Sequence, residues 1–118
     1  MKTRKELKEE YRQKKFRMGV FKIVNSTNGK IFLGSSTDLD TAWNSHRFRL
    51  KAGLHENYEL QKDWIQFGEQ AFDYLVVEEL KIKEGDDPGK ELKAFEKLLI
   101  EELQPFGEKG YHFQRISR

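Results

Sequence analysis

The sequence predicts an α+β domain with the element order α-β-β-α-α-β-α, and three observations carry that expectation. Two stretches rich in β-branched and aromatic residues, Met18 to Asn25 and Lys30 to Ser35, flank Asn28-Gly29, a pair that supplies the positive φ angles of a tight hairpin turn. Further along, apolar residues recur at helical spacing in three segments, and one segment between them alternates like a strand. At 118 residues the chain has the length of one domain. A globule of that size buries roughly two-thirds of the surface its unfolded chain exposes, so one core is expected.

Taken in order, the chain opens with a charged segment, Thr3 to about Lys15, in which Leu7 and Tyr11 lie one turn apart. It reads as a basic helix or arm over residues 1–17, ahead of a domain over residues 18–118. In the hairpin, a loop with an even number of residues sets Asn25 opposite Phe32. Phe21, Ile23 and Phe32 then share one face, and Lys22, Val24, Ile31 and Leu33 the other. Ser36 and Thr37 precede a helix from about Asp38, with an inward stripe of Leu39, Trp43, His46 and Leu50 and a stop at Gly53. Ala42, His46 and Arg49 form an adjacent line. A second helix runs from about Asn57 to Phe67 with Leu60, Trp64 and Phe67 inward and Gly68 as its stop. Phe72, Tyr74 and Val76 alternate in a third strand between Ala71 and Leu80. After the acidic loop Lys83 to Gly89, Asp87-Pro88 opens a helix whose stripe is Leu92, Phe95, Leu99 and Leu103, up to Gln104-Pro105.

Composition narrows the function classes. Charged and apolar residues each make up 36% of the chain, a balance that fits a folded domain with a well-solvated surface rather than a disordered one. No run approaches the roughly 20 apolar residues of a membrane span. Met1 to Lys5 is basic without the apolar stretch of a signal peptide, so cytoplasmic residence is the expectation. The absence of cysteine removes disulfides, thiolate zinc sites and cysteine nucleophiles together. Net charge is only +2, but it is unevenly spread. Residues 1–17 are basic, His46, Arg47, Arg49 and Lys51 form a second group, and Glu78 to Glu108 holds twice as many acids as bases.

Gly19-Val20-Phe21 and Phe32-Leu33-Gly34 are spaced as if to face each other on the hairpin, and the pair resembles the two-block signature of the GIY-YIG nuclease superfamily. The likeness extends to Ser35–Gly53, to Leu54–Phe72, and to the closing LLIEELQPFGEKGYHF segment. It implies a small antiparallel sheet of three strands flanked by helices, and metal-assisted hydrolysis of a phosphodiester. In that family each block ordinarily presents a tyrosine hydroxyl, an arginine on the first helix holds the phosphate, and a glutamate on the closing helix binds one Mg²⁺. At the matching positions this chain carries Phe21, Phe32 and Ala42, the last through the alignment of Ala42-Trp43-Asn44-Ser45-His46 with Arg-Trp-x-x-His. His112 stands where a polar residue follows the tail's Gly-Tyr. His46 and Glu96 match, Glu96 as the metal ligand.

A phenyl ring can neither take a proton nor hydrogen-bond a nucleophile. General-base catalysis contributes about 10² to 10⁴ in rate, and a phosphate-stabilising arginine roughly 10³ to 10⁵. The expectation is therefore a degenerate site, at Phe21, Phe32, Ala42, His46 and Glu96, in a protein that binds nucleic acid or a protein partner without cutting. DNA is the expected ligand, held by Lys22, Lys30, Arg47, Arg49 and Lys51. One alternative is a weak or narrowly specific Mg²⁺-dependent DNA endonuclease in which Arg49, Tyr11 or Tyr111 replaces a missing group. Another is a protein-interaction module or homodimer built on the apolar Phe21 and Phe32. No cofactor is expected unless catalysis persists, when Mg²⁺ is. Glu96 and His46 also have plain structural readings, a lysine pair or tail cap for the first and a hydrogen-bonded packing residue for the second.

Overall fold

A computed structural model describes residues 3–5 and 16–113 of the chain. Most of the expected N-terminal helix, residues 6–15 with Tyr11, lies outside the described residues. The remainder follows the expected order: β1 (Met18–Asn25), β2 (Ile31–Ser36), α1 (Leu39–Ala52), α2 (Tyr58–Phe67), a short 3-10 turn (Glu69–Ala71), β3 (Phe72–Leu80) and α3 (Pro88–Leu103). The strands form one antiparallel sheet in the order β2-β1-β3.

The hairpin register corrects one expectation. Ile23, not Asn25, lies opposite Phe32. The loop is closed by Asn25 N–H on Lys30 O (2.9 Å) and Gly29 N–H on Asn25 O (2.7 Å), with Gly29 at a φ of 76°. Because side chains alternate with a period of two, a shift of two residues leaves each on its expected face. Phe21, Ile23 and Phe32 accordingly enter one core with Leu39, Ala42, Leu50, Leu60, Trp64, Phe72 and Tyr111. On the α1 stripe it is Ala42 that is buried, while Trp43 is half-exposed and packs its ring on Trp64 and Tyr74. Val20 and Leu33, fully buried outside that cluster, belong to the side of β1 and β2 that α3 covers.

Local chemistry explains the helix starts. Asp87 accepts from Gly89 and Lys90 N–H ahead of Pro88, and Asn57 accepts from Leu60 N–H, each satisfying donors that a helix leaves unpaired. After α3, Ile31 N–H donates to Lys109 O (3.2 Å) and Tyr111 N–H to Ile31 O (3.0 Å). The tail thus pairs with the β2 edge, and His112 is carried beside Leu33, whose N–H donates to its Nε2.

Two glycines of the hairpin blocks answer to neighbours. A methyl at Gly19 would collide with the Glu78 carbonyl, beside the β1–β3 register shift where Val20 faces Glu78 and Phe21 faces Val76. At Gly34, directly across from Phe21, a methyl would overlap the tip of the Phe21 ring. Gly34→Ala is therefore expected to cost about 1 to 3 kcal/mol by overpacking, and Phe21→Leu to relieve part of that cost. Urea unfolding of the two single variants and the double variant checks it. A neutral Gly34→Ala would place the ring elsewhere.

Candidate functional site

β1, β2 and α1 bring the family-like positions together, but they meet inside the protein. Phe21 is 1% exposed, Phe32 9% and Ala42 7%. The Phe21 ring stands edge-on to His46 at 5.1 Å between centroids and tilts against Tyr74 at 5.2 Å. Tyr74 directs its hydroxyl away from this contact, donating to Leu39 O at 2.7 Å. At these three positions the chain has two phenyl rings and a methyl group, packed into the core beside His46 and Tyr74.

The polar side of this cluster consists of three imidazoles around Phe32. His112 stacks on the Phe32 ring at 5.1 Å and 11°, while His46 and His55 meet it edge-on at 5.7 and 5.5 Å. His46 Nδ1 and His55 Nε2 are 2.8 Å apart. Asn57 N–H donates to His55 Nδ1 at 3.0 Å, and Leu33 N–H donates to His112 Nε2 at 2.8 Å. Burial, reinforced by Arg49 and His55, holds the His46 imidazole down at about 4. Burial also lowers His55 and His112, so all three rings are neutral near pH 7.

Glu96 is placed apart from that cluster. It sits on α3 with its side chain 15% exposed and paired to Lys93 at 3.3 Å. Together with His112, Lys97, Gln104 and Phe106 it lines a cleft of about 780 Å³. His112 is the link between the two regions, since it touches Phe32 and also borders the cleft. Glu96 and Glu101 both border this cleft, and such a lining fits Mg²⁺, which commonly takes one or two protein carboxylates and completes its shell with water and substrate phosphates. Lys93 would have to leave Glu96.

His46, His55 and Glu56 also bring ligand-type atoms within 4.8 Å of one another. Their protons oppose a cation. His55 Nδ1 accepts the Asn57 amide, so the proton of the neutral ring is on Nε2, aimed at His46. Glu56 is held by Arg49 at 2.5 Å.

The expected nucleic-acid cations do not form one free patch. Arg47 and Lys51 share Glu69 at 3.5 and 3.6 Å, and Arg49 pairs with Glu56 rather than replacing the missing phosphate clamp. Lys22 is on the sheet face opposite Phe21. Lys30 lies over the Tyr111 ring, 5.6 Å from its centroid. Tyr111 does not reach the site either. Its hydroxyl donates to buried Asp63 at 2.8 Å and accepts from Asn25 Nδ2 at 3.1 Å.

Sequence reasoning missed His55, Asn57, Gln61 and Asp63. His55 N–H donates to Gln61 Oε1 and Gln61 Nε2 to Leu50 O, which seals the α1–α2 connection. These residues stand on a loop and on the polar-looking side of α2, where no apolar period marks them. The one available signal was the second histidine itself, directly after Gly53-Leu54.

The fold has counterparts among known proteins. The chain is 31% identical to intron-associated endonuclease 1 of Enterobacteria phage T4 over 62 residues, 52% of its own length. It spans about a quarter of that relative. No protein-family model matches. Among solved structures, the catalytic domain of homing endonuclease I-TevI matches with a TM-score of 0.70 and 26% identity, over 84% of this chain and all of that domain. A mutant of the catalytic domain of intron endonuclease I-TevI matches at 0.66 and 25%, over 75% of this chain and 86% of that one. The three-stranded antiparallel sheet and its helices thus match the catalytic domain of I-TevI, a likeness that supports a domain of the GIY-YIG nuclease superfamily.

Proposed function

We propose that this domain binds nucleic acid without hydrolysing it. One observation carries the reading: Phe21, Phe32 and Ala42, at the positions of the family's chemical groups, are closed into the core. The names of its relatives, which are endonucleases, support nucleic acid as the ligand class, and DNA is the form we propose. Arg47, Arg49 and Lys51 on α1 are the proposed phosphate contacts, exchanging Glu56 and Glu69 for the ligand.

A second reading has its own support. Glu96 and His112 share one cleft, which keeps a metal-dependent endonuclease in view. Plasmid nicking in Mg²⁺ or Mn²⁺ separates the two. No nicking is expected; nicking that Glu96→Ala abolishes would replace the binding reading with the catalytic one.

Binding itself is read by fluorescence anisotropy on a labelled duplex. Affinity should fall linearly on a log–log plot between about 50 and 200 mM salt, because phosphate contacts release counterions. Arg47→Ala should weaken all sequences alike and reduce that slope by about 1. A salt-independent affinity would point to an apolar protein interface instead.

A further inference from the structure

The three imidazoles are tied by bonds that fix their protons. A backbone amide can only donate. The Asn57 amide therefore makes His55 Nδ1 an acceptor, and the Leu33 amide makes His112 Nε2 one. In a neutral ring the remaining nitrogen carries the proton. His55 thus presents Nε2–H to His46 Nδ1 at 2.8 Å, which leaves the His46 proton on Nε2, and His112 carries its proton on Nδ1.

His46 Nε2–H and His112 Nδ1–H have no partner among the described residues, and no buried side-chain polar atom lacks one. Neither N–H group is tied to another described residue. Each belongs to a ring packed on Phe32.

We infer that His55 is a positioning residue: pinned by the Asn57 amide, it fixes His46 as an N–H donor, so that His46 and His112 each offer a neutral donor to phosphodiester oxygens. The ligand in this statement rests on the nucleic-acid reading above; the positions of the protons do not.

The arrangement has a chemical consequence. A general base needs an available lone pair. The only one on His46 is occupied by His55, and the only one on His112 by Leu33. Adding a proton to His46 Nδ1 would set it against the His55 N–H. Donating to an anionic oxygen requires no such rearrangement, and hydrogen bonds to ionised acceptors are the stronger class. The cluster is therefore built to hold a phosphate oxygen and not to activate water beside it. Because the donors are uncharged, their loss should weaken binding without changing the number of counterions released, which distinguishes them from Arg47 or Lys51.

The test uses ¹⁵N-labelled imidazoles in the full chain at neutral pH, with a duplex DNA oligonucleotide as probe. In the wild type, His46 and His55 should show protonated Nε2 and acceptor-type Nδ1, with His112 reversed. His55→Leu should release His46 into mixed tautomers and weaken the duplex roughly tenfold with an unchanged salt slope. His55→Gln, whose side-chain amide can still donate to His46 Nδ1, should restore both readouts. If His55→Leu does not fold, the wild-type tautomers and the His55→Gln variant still decide the matter. A wild-type His46 protonated on Nδ1 would overturn the inference. Duplex binding that leaves the His46 and His112 resonances unmoved would remove their role as donors while leaving nucleic-acid binding in place. A complete lack of duplex binding, with the tautomers as assigned, would refute the nucleic-acid reading and the phosphate role and leave the positioning role of His55 standing.

Discussion

Tyr111→Phe is expected to destabilise the domain by about 3 kcal/mol, although it removes a single oxygen. The phenol is 1% exposed, and its hydroxyl joins two buried groups: it donates to Asp63 Oδ2 at 2.8 Å and accepts from Asn25 Nδ2 at 3.1 Å. Asp63 is 8% exposed and, among the described residues, keeps only the longer bond from Asn28 Nδ2, at 3.2 Å, once the phenol is gone. Asn25, completely buried, loses its only acceptor for Nδ2 among the described residues. Hydrogen bonds to charged groups contribute about 1.5 to 3 kcal/mol, and a buried polar group left unpaired adds roughly 1 to 3 more, partly recovered by relaxation. Packing is not the cause, because the ring remains. A fall in melting temperature of roughly 10 °C is expected for a domain of this size, measured by circular dichroism. Asp63→Asn in the same background should recover part of it, since a neutral amide is easier to leave underbonded than a carboxylate. A change within about 0.5 kcal/mol would show that the network does not hold the tail to the hairpin.

Acid should destabilise the domain through its histidines. In the folded protein His46 is lowered from 6.5 to about 4, chiefly by burial, then by Arg49 and by His55. The unfolded chain therefore binds a proton at a pH where the folded chain does not. The sign follows: the stability is fully present above the unfolded value of 6.5 and is lost as the pH falls toward 4. The His46 contribution amounts to roughly 3 kcal/mol at most. His55 and His112, also lowered by burial, change in the same direction. Urea midpoints measured at pH 7 and near pH 4.5 check this, and His46→Gln should flatten the dependence. Stability that rises on acidification would mean that the histidines are charged and paired in the fold.

Much of the architecture was legible in the chain. The Asn28-Gly29 turn, the alternation on either side of it, the Asp87-Pro88 start and the glycines after two helices are local signals, written in the residues that form the elements. The faces of Phe21, Ile23 and Phe32 were legible for the same reason, and they survived a register that differs by two residues. Phe21, Phe32 and Ala42 were legible as residues without a hydroxyl or a guanidinium, because a residue type states what it cannot do. Less legible were the polar contacts. His55 meets His46 from a different element, and Asp63 on α2 looks like a solvated residue until Tyr111 is brought down on it from the tail.

The sequence by itself determined the order of the described elements, the superfamily-like hairpin blocks and the side-chain chemistry of Phe21, Phe32 and Ala42, since each of these is a property of residues near one another in the chain or of side-chain chemistry alone. Only the tertiary structure decided that Phe21, Phe32 and Ala42 close into a core, that Glu96 stands on a separate cleft with His112, and that the three histidines meet around Phe32. Those outcomes depend on which backbone amide or ring faces which nitrogen, and such neighbours are set by packing between distant segments, where sequence spacing carries no distance.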